Sequence, residues 1–174
     1  MTIYWYKLND KAIIPTKRNE DAGFDIYTIE DNILLMPFEK RLFKTGLAAA
    51  VEPGYWLLAF DRGSTGSRGI HTHCGVIDNG YRGEIFICLC NDNPYPVKFT
   101  SNTVKPYFAA KDSYYTVDGI EHCGEIFYYP VSKAIAQIIP MPQLSAVSCE
   151  ADDLKWSTLQ NTERGSGKLG DSGK

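Results

Sequence analysis

Gly75-Val76-Ile77-Asp78-Asn79-Gly80-Tyr81-Arg82-Gly83 sets an apolar pair directly before Asp-Asn-Gly, and so reads as a strand entering a tight turn. Glu84 to Cys90 reads as the returning strand. The stretch is then a β-hairpin that holds a carboxylate and an aromatic ring, Asp78 and Tyr81, on a rigid support. An Asp-Asn-Gly turn can also be nothing more than a turn, so the remaining segments have to decide.

Working outward, the same rhythm recurs. Ile3 to Leu8, Phe24 to Thr28, Asn32 to Met36, Arg41 to Val51, Tyr55 to Phe60 and Ala134 to Ile139 are short apolar or alternating runs. Pro53-Gly54, Asp61 to Gly63, Asn79-Gly80 and Asp118-Gly119 supply turns between them. No long segment has helical periodicity, and one short helix is expected around Thr65 to Ile70. The pattern predicts an all-β domain over residues 1–161, and a closed barrel or a sandwich is the economical way to hide so many strand edges. Within it, Asn91 to Tyr129 is rich in tyrosine, phenylalanine, asparagine and proline and reads as an inserted subdomain, about 91–129, with strands of its own. Residues 162–174 are glycine-rich with little to bury, which predicts a flexible arm.

Composition removes several function classes. The 174 residues carry 44% hydrophobic and 22% charged side chains, and 18 basic against 21 acidic residues give a net charge of -3. That balance argues against holding long nucleic acid through its phosphates, while a single nucleotide stays open. No stretch approaches the roughly 20 apolar residues of a membrane span, and the N-terminus has no signal-peptide order, so a cytoplasmic protein is expected. The five cysteines are an odd number; Cys88 and Cys90 face the same side of one strand without suggesting a disulfide framework, which fits a reducing compartment. His71, His73 and Cys74 have no second ligand pair at zinc-site spacing, since His122 and Cys123 lie far along the chain. The tail lacks the glycine that a Walker loop needs five places before Gly167-Lys168. It offers Arg164, Ser166, Lys168 and many backbone amides, which can either wrap anionic oxygens or remain a solvated tail.

Taken together, five segments resemble, in order, the motifs of the homotrimeric dUTP pyrophosphatases, the dUTPases. These are Asp21-Ala22-Gly23-Phe24-Asp25-Ile26, Arg62-Gly63-Ser64-Thr65-Gly66, Gly75 to Gly83, Ala134-Ile135-Ala136-Gln137, and Arg164 to Gly173. Thr45-Gly46-Leu47 and Pro53-Gly54-Tyr55 match the family's scaffold. The resemblance implies a distorted β-barrel or jelly roll assembled as a homotrimer, with each active site built from neighbouring subunits and closed by the C-terminal arm. It implies hydrolysis of dUTP to dUMP and pyrophosphate with Mg2+. In that reading Asp78 activates the attacking water, and Tyr81 packs on the deoxyribose where a 2′-hydroxyl would collide. Backbone between His73 and Tyr81, including Gly75 and Ile77, reads the uracil edge. Asp25 holds magnesium through water, while Asp21 is a turn acceptor. Arg62, Ser64 with the amides around Gly63 and Thr65, and Gln137 contact the phosphates. Arg164, Lys168, Leu169 and Gly170 belong to the closing arm. Each of these has a plainer reading as well: Arg62 as an ion-pair partner, Ser64 as turn-shaping, Gln137 as a strand cap.

Four departures stand out. Gly63 separates Arg62 from Ser64 where the family has serine next to arginine; Ala134 stands where the fourth motif begins with arginine; Leu169 replaces a phenylalanine that stacks on uracil, and Lys168 replaces a glycine. The insertion resembles in position the extra segment of some bacteriophage members, which implies a protein regulator bound through it. Two alternatives remain: a dCTP deaminase of the same fold, and a phage regulatory protein that uses the insertion to bind a repressor.

Overall fold

The computed structural model describes residues 1–102 and 109–162. Four small antiparallel or mixed sheets organise the strands, and among the described residues they do not join into one closed ring. The first pairs β1 (Ile3–Lys7) with β5 (Leu47–Val51). In the second, β2 (Phe24–Ile26), β13 (Ala136–Pro142), β6 (Tyr55–Phe60) and β8 (Val76–Ile77) lie side by side, and in the third β9 (Phe86–Asn91) lies between β4 (Lys40–Lys44) and β7 (Ile70–His73). The fourth runs β3 (Ile33–Leu35), β10 (Val97–Thr100), β12 (Ile120–Pro130), β11 (Ala109–Val117). Two short helices, α1 (Gly63–Gly66) and α2 (Asp153–Leu159), complete the described elements. The chain is all-β, as its alternation predicts.

The core forms because each sheet turns one face of β-branched and aromatic residues inward. Phe43, Phe99 and Tyr129 are fully buried and stack in series, with ring centroids 4.7 Å and 5.1 Å apart. Ile26, Leu35, Leu47, Ile87, Leu89 and Ile138 fill the space around them, each side chain worth about 1.5–3 kcal/mol of burial. Tyr129 donates its hydroxyl to the Ala134 carbonyl at 2.6 Å, so the one polar atom of that stack is satisfied.

Three local expectations are corrected. The run from Arg41 to Val51 is two strands in different sheets, divided at Thr45-Gly46, where Gly46 takes a positive φ of 66°. The helix expected at Thr65 to Ile70 is a single turn over Gly63–Gly66, and Gly69 at φ 67° then leads the chain into Ile70, which already belongs to β7. The deciding stretch is a turn but not a simple hairpin. β8 pairs with β6, whereas β9 pairs with β7 and β4. The strand bends at Cys74, a non-glycine residue with φ 54°, and so leaves one sheet for the other before the Asp78 turn.

Of residues 91–129, both ends are structural. Val97 and Phe99 in β10 and Phe127 and Tyr129 in β12 are buried, and β10 pairs with β3 on one side and β12 on the other. What projects is the β11–β12 hairpin. Its two-residue tip, Asp118 at φ 49° and Gly119 at φ 79°, is the left-handed pair that matches strand twist. The contacts divide the chain into two units, residues 1–143 and 144–174. In the second, Asp152 caps α2 by accepting from the Lys155 amide at 2.7 Å.

Candidate active site

The Asp78 turn is held from below by Asn79. Its side-chain amide donates to the carbonyls of Val51, Glu52 and Tyr55 at 3.2, 3.0 and 2.8 Å, which pins the turn to the β5–β6 connection. The Tyr81 amide donates to the Asp78 carbonyl at 3.0 Å and closes the turn. Gly75 fixes the approach: its carbonyl accepts from the Ala59 amide at 2.7 Å, and a Cβ there would collide with the Ala59 oxygen. The Tyr81 ring lies on Gly83, where a Cβ would meet its hydroxyl at 2.5 Å, and that hydroxyl donates to the Glu84 carbonyl at 2.9 Å. Asp78 itself is exposed, and its carboxylate meets no hydrogen-bond donor among the described residues. It is an available acceptor on a braced loop. Asp78, Tyr81 and Ile77 line a small pocket with Leu42, Cys74 and Ile85.

A second, larger cleft of about 790 Å³ gathers Asp25, Arg62, Gly63, Ser64 and Gln137. The register across β2 and β13 sets Asp25 opposite Gln137. Arg62 grips Asp25 with both arms of its guanidinium, Nε to Oδ1 at 2.8 Å and Nη2 to Oδ2 at 3.0 Å, a fork-on-fork geometry that Lys could not reproduce. Its Nη1 donates to Ser64 Oγ at 3.1 Å and to the Ala134 carbonyl at 3.3 Å. The Arg62 amide donates to Thr65 Oγ1 at 3.1 Å, and the Thr65 amide and hydroxyl each donate to the Arg62 carbonyl at 3.0 Å, which fixes the Gly63-Ser64 backbone. Gln137 donates from Nε2 to the Asp61 carbonyl at 2.7 Å, and its Oε1 sits tightly against Gly23, where there is no room for a Cβ. Asp21 accepts from the Arg18 amide and side chain, the turn role expected of it. Those hydrogen bonds hold its carboxyl below the usual range.

The two clefts share no lining residue. Residues named from sequence therefore fall into two groups: Asp78, Tyr81 and Ile77 in one place, Asp25, Arg62, Gly63, Ser64 and Gln137 in the other. Arg164, Lys168, Leu169 and Gly170 lie outside the described residues. Sequence reasoning passed over Asp61. Its carboxylate accepts from the Thr72 amide and meets His71 Nδ1 at 2.8 Å, while its carbonyl holds Gln137. Its place directly before Arg62 in the turn was the available signal. Lys17 and Arg18, in the same cleft, were also missed.

The dUTPase family model matches residues 9–103. The deoxyuridine 5'-triphosphate nucleotidohydrolase of Nautilia profundicola is 32% identical over 176 residues, covering 97% of this chain and 96% of that protein. The chain belongs to the dUTPase family. Another dUTPase, that of Clostridium novyi, is 40% identical over 94 residues, 49% of this chain and 62% of the relative. Among solved structures, the dUTPase of Staphylococcus bacteriophage 80alpha with dUpNHpp superposes with a TM-score of 0.72 at 25% identity, over 99% of both chains. A mutant dUTPase from phage phi11 of S. aureus, described as coordinating a structural Mg(II) ion, has a TM-score of 0.65 at 24% identity over 88% of this chain and 98% of that one.

Proposed function

We infer that this dUTPase-family chain is a dUTP diphosphatase: it hydrolyses dUTP to dUMP and pyrophosphate, with Asp78 activating the water that attacks the α-phosphorus. The observation that carries this reading is the Asp78 carboxylate, without a donor among the described residues, on a turn braced by Asn79 and Gly75. A general base must be free to accept and held still enough to aim. Tyr81, packed on Gly83 beside it, would screen the sugar, and the backbone from Gly75 to Ile77 would read the base by donors and acceptors whose mispairing is costly. Arg62, Ser64 with the Gly63 and Thr65 amides, and Gln137 would take the phosphates. Arg164, Lys168, Leu169 and Gly170 would close over them from the arm, residues 162–174.

The donor set of the second cleft suits a hard cation. Asp25 is a half-exposed carboxylate whose oxygens keep acceptor capacity beyond the Arg62 fork, and magnesium bound through its own waters needs little more. Asp25 would hold it, and Mg2+ when bound supplies positive charge to the phosphate oxygens. In this chain, Arg62 orients the Asp25 carboxylate, and Gln137 is held in line by Asp61.

Because the water-activating residue and the phosphate-side residues lie in separate clefts, we propose that a complete site joins two copies of the chain in a homotrimer. Leu42, Phe60, Val76 and Phe86 are large apolar side chains left exposed on strands β4, β6, β8 and β9, which supports association. The five free thiols accord with a cytoplasmic enzyme, and among the described residues no helix is long and apolar enough to cross a membrane. The exposed β11–β12 hairpin, with Tyr114 and Ile120 outward, is offered as the surface for a protein regulator.

Product analysis with dUTP, dCTP, dTTP and UTP in the presence of Mg2+ tests the reading. Pyrophosphate released from dUTP and not from the others is expected. Ammonia release from dCTP, or no pyrophosphate from dUTP, would overturn it.

A further inference from the structure

Six charged side chains line the larger cleft: Lys17, Arg18, Glu20, Asp21, Asp25 and Arg62. Four of them cancel in pairs, since Arg62 is bound to Asp25 and Arg18 to Asp21. That leaves two, the exposed Glu20 and Lys17, the latter the one cation of the six in no ion pair among the described residues. No carboxylate lies within ion-pair distance of its Nζ among the described residues; Nζ donates instead to the carbonyls of Arg18 at 3.1 Å and Asn19 at 3.4 Å. An ammonium has three donors, so two weak bonds to neutral carbonyls leave its third donor open, and its charge acts on Asp21 through space without an ion pair. Its position is not that of a loose surface lysine. Thr16 forms an antiparallel bridge to Asp25, and the Asp25 amide donates to the Thr16 carbonyl at 2.9 Å, which anchors the backbone next to Lys17 on the residue assigned to magnesium. The ammonium sits 5.5 Å from the centroid of the Phe24 ring, and Lys17 is half-buried as a result.

We propose that Lys17 is a substrate-binding residue whose ammonium takes an oxygen of the terminal phosphates of dUTP. Arg62 is committed to Asp25, Ser64 and Ala134, so its charge reaches the substrate already half neutralised. Lys17 supplies the one positive charge of the cleft that is held in no ion pair among the described residues, and exchanging two neutral carbonyls for a phosphate is a charge-assisted gain. Because the contact is to the terminal phosphates, it discriminates by phosphate number: dUTP uses it and dUMP does not. This inference rests on the function proposed above, and its test is built to fail separately from it.

The equilibrium affinities of wild-type protein, Lys17→Met and Lys17→Arg are measured by calorimetry for the non-hydrolysable analogue dUpNHpp, for dUMP and for inorganic tripolyphosphate, with thermal midpoints as a control. The expected result is that Lys17→Met binds dUpNHpp about ten-fold more weakly and dUMP within about two-fold of wild type, and that Lys17→Arg recovers most of the loss. A lysine that only shapes its loop would lower the thermal midpoint and weaken both nucleotides equally, and that outcome overturns the proposal, as does an unchanged dUpNHpp affinity. If wild-type protein binds neither nucleotide, the diphosphatase reading itself fails. Tripolyphosphate then decides for Lys17: equal affinity of wild type and Lys17→Met, or no binding by either, overturns it.

Discussion

Asp78 and Asn79 are neighbours with opposite duties. Asp78→Asn keeps the shape and the acceptor carbonyl of the side chain but removes the base, so turnover is expected to fall by about 10²–10⁴-fold with dUpNHpp affinity nearly unchanged; rapid-quench product assay alongside calorimetry checks it. Asn79→Ala leaves three backbone carbonyls without their donor and is expected to cost about 1–3 kcal/mol of stability, read from urea unfolding. Cys90 gives a pH prediction. Burial, then its hydrogen bond to Asp92, pushes the thiol up from an ordinary value near 9 to about 11. The folded protein therefore keeps a proton that the unfolded chain releases first. This contribution is whole below pH 9 and is lost as pH rises from 9 to 11. Wild type should lose more stability than Cys90→Ser across that window, and parallel curves would contradict the assignment.

At the scale of elements, the meeting of β6 and β8 is the joint that aims the Asp78 turn. Gly75→Ala drives a methyl into the Ala59 carbonyl and must push β8 away, breaking the Ala59–Gly75 hydrogen bond. We expect a loss of about 1–3 kcal/mol and a fall in kcat larger than any change in KM, because the loop is misaimed while the phosphate-side cleft stays intact. The β11–β12 hairpin is the contrasting case. Its tip is exposed, and it joins the Phe43, Phe99, Tyr129 stack only at its base, through Tyr129 near the end of β12. This contrast explains why part of the fold was legible and part was not. The turn at Asp118-Gly119 and the period-2 runs of β6 and β9 are local, written in a few consecutive residues. The pairing of β8 with β6 rather than β9 is not local: it depends on the bend at Cys74, and nothing in Thr-His-Cys-Gly announces a positive φ at a cysteine.

For the whole molecule, the separation of Asp78 from Asp25, Arg62 and Gln137 predicts complementation. Asp78→Asn and Arg62→Ala proteins, each inactive alone, should on mixing and reassembly recover about a quarter of wild-type activity if every site joins the Asp78 turn of one subunit to the Arg62 cleft of the next. Light scattering should report three chains per particle, and no recovery from a confirmed mixed trimer would place both clefts' roles within one subunit. The sequence by itself determined the all-β class, the turn at Asp78 to Gly80, and the ordered segments that carry the family resemblance, because strand period, turn chemistry and motif spacing are short-range properties. Only the tertiary structure decided that Arg62 spends its fork on Asp25, 37 residues away, that Gln137 leans on Asp61, 76 residues away, and that the candidate site is split in two. Contacts between residues so far apart exist only after the chain has closed around its core, and no local pattern encodes which partners that closure brings together.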